Sequence, residues 1–288
     1  MSRNILVTGC NGQLGRAIQK EYANDDVKLV LTDVVSGDGY ISLDITNLEE
    51  VEKTVKENNI DVIINCAAHT NVNACETQWE LAYKINAIGP RNLCIAAKQT
   101  NAKVVQVSTD YVFSGDEGTT PLTEFDPVGP QSAYGKTKLE GERFVQMFSD
   151  RYFILRTAWL YGDGNNFVKT MIKLGSERDE VGVVSDQFGS PTSASELARL
   201  IHYLEPTDNF GIFHATCEGE CSWADFAEEI FKQKGMNVKV NHLTTDEYPT
   251  PAKRPAYSVL DKYMLRLTTD FKMKEWKEAL TEYIPTLK

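Results

Sequence analysis

The sequence predicts an α/β fold: a doubly wound parallel sheet with a smaller α/β lobe toward the C-terminus. Three observations predict it. Short apolar runs alternate with amphipathic stretches along the first half of the chain. Two of these runs, Asp61-Val-Ile-Ile-Asn65 and Lys103-Val-Val-Gln-Val-Ser108, are apolar almost throughout, as parallel strands covered on both faces must be. A glycine-spaced turn follows the first run and opens the first amphipathic stretch.

In chain order, Ile5 to Val7 reads as a strand, Leu14 to Tyr22 as a helix and Val27 to Leu31 as a strand, a β-α-β unit. Leu48 to Glu57 continues as a helix, Val62 to Asn65 as a strand, Gln78 to Thr100 as one long helix and Val104 to Val107 as a strand. A helix follows from Tyr134 to about Met147, then a strand from Phe153 to Leu160 and a helix near Phe167 to Leu174. A helix around Ser195 to Tyr203 and a strand from Gly211 to Ala215 read as returns to the main sheet. Trp223 to Lys234 and Lys274 to Ile284 are further amphipathic helices. Between Asn241 and Pro255 three prolines and no periodicity predict a loop, placed over a ligand.

Composition narrows the class without naming it. With 42% hydrophobic and 25% charged residues the chain is neither disordered nor fibrous. Its net charge of -11 repels a phosphate backbone, so nucleic acid is not an expected partner. No apolar run approaches the roughly 20 residues that span a bilayer, and the N-terminus lacks a secretory pattern, so a cytoplasmic protein without membrane contact is expected. The six cysteines, Cys10, Cys66, Cys75, Cys94, Cys217 and Cys221, show no paired spacing and are expected as reduced thiols. His214, Cys217 and Cys221 lack a fourth ligand, so no metal is assigned.

Three motifs carry chemistry. Thr8-Gly-Cys-Asn-Gly-Gln-Leu-Gly15 sets Gly9, Gly12 and Gly15 between a strand and a helix, where bare backbone and the helix N-terminus receive a pyrophosphate. Asp33 lies 18 residues after Gly15, where a carboxylate accepts hydrogen bonds from an adenosine ribose and opposes a 2′-phosphate. The lesser reading of Asp33 is as a strand-terminal turn residue. Tyr134 and Lys138 stand one helical turn apart, so that an ammonium favours phenolate and eases proton exchange with an alcohol or carbonyl. Thr109, in Ser108-Thr-Asp-Tyr111 at the end of the preceding strand, can hold the reacting oxygen. The Gly135-Lys-Thr137 triplet is not a nucleotide-triphosphate loop, because Pro130 stands where that loop needs a glycine.

With these motifs in this order the chain resembles the extended short-chain dehydrogenase/reductases and, within them, the dTDP-4-dehydrorhamnose reductase family. The matching segments cover nearly the whole chain: Thr8 to Gly15, Asn65 to Thr70, Val107 to Phe113, Tyr134 to Lys138, Arg156 to Tyr161, Asn165 to Phe167, Asp186 to Thr192 and Arg254-Pro255. The resemblance implies a Rossmann-type NAD(P)-binding domain, residues 1–161 plus about 191–216, and a substrate-binding lobe, about 162–190 plus 217–288. It implies reduction of the 4-keto group of a dTDP-sugar by NADH or NADPH. By position, Tyr134 is then the proton donor, Lys138 its partner and ribose ligand, and Thr109 the holder of the sugar. Asp110 and Trp159 contact the sugar, while Gly12, Gln13 and Leu14 meet the pyrophosphate and Asp33 the ribose. Asp44 and Ile45 take the adenine side, Ala68, His69 and Thr70 the nicotinamide half, and Asn86 steadies the active-site helix. Without the resemblance, His69 reads first as an ordinary packed or hydrogen-bonded histidine and Trp159 as a core residue ending a strand. Some relatives use magnesium-bound carboxylates at a dimer contact. The comparable position here is Ala17, so a monomer or weak homodimer is expected.

Three other readings share parts of this pattern. A 4,6-dehydratase needs further acid-base groups, an Asp-Glu directly after the threonine in that family, whereas Asp110 here is followed by Tyr111. A 4-epimerase keeps and recycles its nicotinamide, while a reductase consumes it. A regulatory subunit resembling that of methionine adenosyltransferase would relax the catalytic set, yet Thr109, Tyr134 and Lys138 stand together here.

Overall fold

In the computed structural model, residues 3–116 and 118–287 are described. Strands β1 (Arg3–Thr8), β2 (Val27–Asp33), β3 (Ile41–Ser42), β4 (Val62–Asn65), β5 (Lys103–Thr109) and β6 (Tyr152–Thr157) join the later strand Gly211–His214 in a seven-stranded sheet. Every pairing in it is parallel. Between the sheet strands come β7 (Leu160–Tyr161), β8 (Glu180–Val184), β9 (Phe188–Gly189) and β10 (Thr192–Ser193), which makes Gly211–His214 β11; β12 (Cys221–Ser222) and β13 (Lys239–Leu243) follow. The sheet order is β11-β6-β5-β4-β1-β2-β3, so the chain reverses direction across the sheet between β1 and β4.

Helices α1 (Gln13–Glu21), α2 (Leu48–Glu57), α3 (Val72–Thr77), α4 (Trp79–Tyr83), α5 (Gly89–Thr100), α6 (Ala133–Phe148), α7 (Phe167–Glu177), α8 (Ala194–Leu204), α9 (Trp223–Lys234), α10 (Tyr263–Thr268) and α11 (Trp276–Tyr283) complete the regular structure. On one sheet face Ile5, Val7, Ile64 and Val105 pack against Leu14 and Ile18 of α1 and Leu197 and Ile201 of α8. On the other, Leu6, Ile63 and Val104 meet Val51 and Val55 of α2, Leu93 and Ala97 of α5 and Val145 of α6. Both faces are covered, which is why β4 is buried at all four positions. A third apolar cluster joins Tyr161, Val168, Met171, Val181 and Val183 to Phe226, Ile230, Trp276 and Leu280.

The helix expected from Gln78 to Thr100 is interrupted. Lys84–Ile88 forms a π-helical turn between α4 and α5. Pro90 has no N–H to give the carbonyl of Asn86, four residues back, and its ring clashes with that carbonyl in an α-helix. The wider turn relieves both. The strand expected to reach Leu160 ends at Thr157, because Trp159 takes a left-handed conformation, φ 49°, and turns the chain into β7. The loop expected from Asn241 begins only after Leu243, because β13 pairs in parallel with β8, a short apolar run absent from the sequence reading.

Candidate active site

The C-terminal ends of β1, β4, β5 and β6 line a cavity of about 740 Å³ at the point where the strand order reverses, the usual ligand position in open α/β sheets. At one end is the glycine turn. Gly9 has φ 61°, a conformation that costs glycine nothing. Gly12 caps α1 without a side-chain acceptor, and no acidic residue occupies the first helical turn. The first amides of α1 therefore lack a side-chain partner, and Gly12, Gln13 and Leu14 face the cavity beside them. This cradle fits a pyrophosphate.

Asp33 lines the cavity and accepts a hydrogen bond from the Asn11 N–H at 3.1 Å. Around it stand Val34, Leu43, Asp44, Ile45 and Thr46, and none of these residues is a cation. Arg16 lies outside the lining, ion-paired with Asp163 at 3.6 Å, and Lys28 sits near the start of β2 beside Asn4.

Ala68 and Thr70 also face the cavity, whereas Gly15, His69 and Asn86 stand behind its lining. Gly15 lets α1 approach the turn: a methyl there would lie 2.4 Å from the Gly9 carbonyl oxygen. The His69 ring is held by Gln78 at 3.0 Å. Its backbone N–H donates to Asn86 Oδ1 at 2.8 Å, and the Asn86 amide donates to the His69 carbonyl at 3.2 Å and to the Thr137 hydroxyl of α6 at 3.1 Å. Asn86, on the π-helical turn, thus ties the segment after β4 to the helix of Tyr134.

Ser132 caps α6 by accepting from the Gly135 N–H at 3.1 Å, so the helix begins just ahead of Tyr134. Thr109, Asp110, Tyr134 and Lys138 all line the same cavity. Lys138 Nζ donates to the Val107 carbonyl at 2.6 Å. That carbonyl ends a buried chain across the strand ends: Thr8 to Asn65 at 2.5 Å, Asn65 to Gln106 at 2.7 Å and Gln106 to Val107 at 2.7 Å. The Thr109 hydroxyl donates to Asp110 Oδ1 at 2.9 Å.

Electrostatics correct one sequence expectation. Burial, not a cation, dominates at Tyr134 and pushes its phenol well above the ordinary value; a hydrogen bond with Thr109 opposes the rise, and Asp110 adds to it. The protonated phenol is the form held. Burial brings Lys138 down to about 8, with Glu142 acting against it, and raises Asp110 to about 6 against hydrogen bonds from Ser258 and Thr109.

Across the cavity Trp159 stacks on Trp223 of α9, ring centroids 3.6 Å apart and 10° from parallel. Arg254 faces the same space, 3.5 Å from the Tyr111 hydroxyl. The segment carrying it is pinned on three sides. The Ala252 N–H donates to Asn73 at 3.4 Å, the Ala256 N–H to the Gly115 carbonyl at 3.1 Å, and the Ala256 carbonyl accepts from the Phe188 N–H at 2.8 Å. Sequence reasoning missed Tyr111, Trp223 and Arg254 as site residues. The proline-rich loop was the available signal for Arg254; nothing local marks Trp223.

Among the described residues no three His, Cys, Asp or Glu side chains gather as a metal-ion set. His214 Nδ1 meets the Asp261 carbonyl at 2.9 Å, and Cys217 and Cys221 belong to the third apolar cluster. No helix among the described residues is long and apolar enough to cross a membrane.

Residues 3–288 match the family model described as RmlD substrate binding domain. A dTDP-4-dehydrorhamnose reductase of Aggregatibacter actinomycetemcomitans is 41% identical over 289 residues, 96% of each chain. The crystal structure of a dTDP-4-dehydrorhamnose reductase from Clostridium acetobutylicum superposes with a TM-score of 0.94 at 57% identity, covering 99% of both chains. That of the Bacillus anthracis enzyme, in complex with NADP, gives 0.95 at 42% identity, covering 99% of this chain and all of the other. Glycine turn, strand-end threonine and tyrosine–lysine helix thus lie in a fold shared over its full length, and the chain belongs to the RmlD substrate-binding-domain family, that of the dTDP-4-dehydrorhamnose reductases.

Proposed function

We propose that this protein reduces dTDP-4-dehydro-L-rhamnose to dTDP-L-rhamnose with a nicotinamide cofactor. The observation that carries the reading is the convergence of Thr109, Tyr134 and Lys138 on one cavity, beside an uncapped helix N-terminus open to a pyrophosphate. When bound, NAD(P)H supplies the hydride that adds to C4 of the sugar. Gly12, Gln13 and Leu14 hold the pyrophosphate, Asp33 the adenosine ribose, Asp44 and Ile45 the adenine side, and Ala68 and Thr70 the nicotinamide half. Lys138 reaches the other ribose. Thr109 orients the C4 oxygen, and Tyr134 donates its proton there; burial keeps that proton on the phenol until the oxygen becomes the stronger base. Asp110 and Trp159 contact the sugar.

Water elimination would need a further acid-base pair, and among the described residues no glutamate lines the cavity. Asp33 and Asp44 line the cavity, and a carboxylate at the adenosine ribose opposes a 2′-phosphate, which favours NADH over NADPH. The lobe expected from about 162–190 plus 217–288 is supported by the third apolar cluster, and the net charge of -11 argues against a nucleic-acid partner. In this reading the enzyme works in the cytoplasm as a monomer or weak homodimer.

The test follows NADH or NADPH absorbance with purified protein and dTDP-4-dehydro-L-rhamnose. Stoichiometric oxidation, faster with NADH, is expected; no oxidation of either, despite measurable cofactor binding, would remove this substrate. A substrate diphosphate also needs a cation away from the glycine turn. Arg254 is placed for it, so Arg254→Gln is expected to raise the substrate KM about tenfold or more, the scale of one charge-assisted contact, and to leave the NADH KM unchanged. Equal KM values in variant and wild type would remove Arg254 from the site.

A further inference from the structure

The face of α6 that carries Tyr134 and Lys138 continues by the same four-residue step to Glu142. Three consecutive residues of β5 meet this face. The Val107 carbonyl accepts from Lys138 Nζ at 2.6 Å, the Ser108 hydroxyl donates to Glu142 Oε1 at 2.5 Å, and Thr109 lines the same cavity as Tyr134. From β6, Arg156 grips the Glu142 carboxylate with Nε at 3.0 Å and Nη2 at 2.8 Å. Glu142 is 2% exposed and Arg156 3%.

As a device for stability this pair is poor. The desolvation of two buried charges offsets most of their attraction, and apolar residues of similar volume commonly do as well or better. Here the pair is also incomplete, because Arg156 Nη1 is buried without a hydrogen-bond partner. The face of the Phe113 ring lies 5.1 Å from the Arg156 guanidinium carbon. A costly ion pair one turn below the lysine of the site points to a task on that lysine.

We propose that Glu142, clamped by Arg156 and Ser108, is a positioning residue whose buried carboxylate keeps Lys138 charged and aimed into the cavity. The proposal rests on the reading of Lys138 as part of the reductase site. Glu142 is the first group opposing the fall of Lys138 to about 8 that burial causes; the Cys66 thiol beyond β4 is pushed up to about 12 by burial and is uncharged where Lys138 titrates. Asp110 and Tyr134 share the cavity, Arg156 lies behind Glu142, and the β5 groups Val107 and Ser108 are neutral.

The sign follows. Lys138 serves as an ammonium, so function is lost as pH rises through its value near 8. Removing the carboxylate removes what holds that value up, and the alkaline limb moves to lower pH.

The pH dependence of kcat/KM, and separately of NADH dissociation by fluorescence, is measured for wild type, Glu142→Gln and the double variant Glu142→Leu/Arg156→Met. The single change leaves Arg156 charged and unpaired and can unfold the protein; the double change leaves no buried charge, and circular dichroism reports its fold. In the double variant the alkaline limb is expected to fall by about one pH unit, so that well above the limb activity is about tenfold lower at a given pH. If the single variant folds, its limb falls further. A purely structural pair would alter the melting midpoint alone, and a folded double variant with wild-type limbs overturns the proposal. If the wild type fails to turn over the sugar nucleotide, the reductase reading falls, while the limb of NADH binding still decides the role of Glu142.

Discussion

Tyr134→Phe is expected to lower kcat by about 10²–10⁴-fold, the range for loss of a positioned general acid, with the NADH dissociation constant unchanged. Only the phenolic oxygen is removed. The ring keeps its edge-on packing with Tyr111, centroids 5.5 Å apart at 78°, and Lys138 keeps its bond to the Val107 carbonyl at 2.6 Å. Binding therefore has no reason to change, while the hydroxyl proposed to protonate the C4 oxygen is gone. Single-turnover reduction with saturating NADH, beside fluorescence titration of the cofactor, separates the two effects. A variant retaining more than a tenth of the wild-type kcat would take the proton-donor role from Tyr134.

The second large effect is expected at Gly15→Ala. The added methyl would lie 2.4 Å from the Gly9 carbonyl oxygen and 2.6 Å from Cys10 Cα, both backbone atoms of the turn. Neither can rotate aside, so α1 must move off the turn whose amides are proposed to receive the pyrophosphate. Overpacking of this kind costs about 1–3 kcal/mol, and NADH affinity is expected to fall about tenfold or more, about 1.4 kcal/mol for each tenfold. Gly129→Ala is the control, since a methyl there meets only the Ser114 Cβ, at 3.7 Å. Thermal melting and NADH titration of both variants check this; a Gly15→Ala protein indistinguishable from the Gly129→Ala protein would show that the turn tolerates the shift.

The sequence by itself determined the parallel sheet, the glycine turn and the tyrosine–lysine face, because each is written locally. Buried strands such as Val62 to Asn65 must be apolar on both faces, a helix N-terminus open to an anion needs glycines at set steps, and four residues make one helical turn. Even the break at Lys84–Ile88 was present in the sequence, since Pro90 cannot pair with the Asn86 carbonyl, although the apolar periodicity of Gln78 to Thr100 concealed it. Tertiary structure alone decided the rest. Arg254 meets Tyr111 across 143 residues of chain, and Trp159 stacks on Trp223 only because it adopts a left-handed turn that propensity disfavours. It also turned the His69 ring to Gln78 and set Arg156 against Glu142. Periodicity and turn chemistry record which face of an element is buried, but which side chain a buried or cavity-facing residue meets depends on how distant segments pack, and no local pattern encodes that.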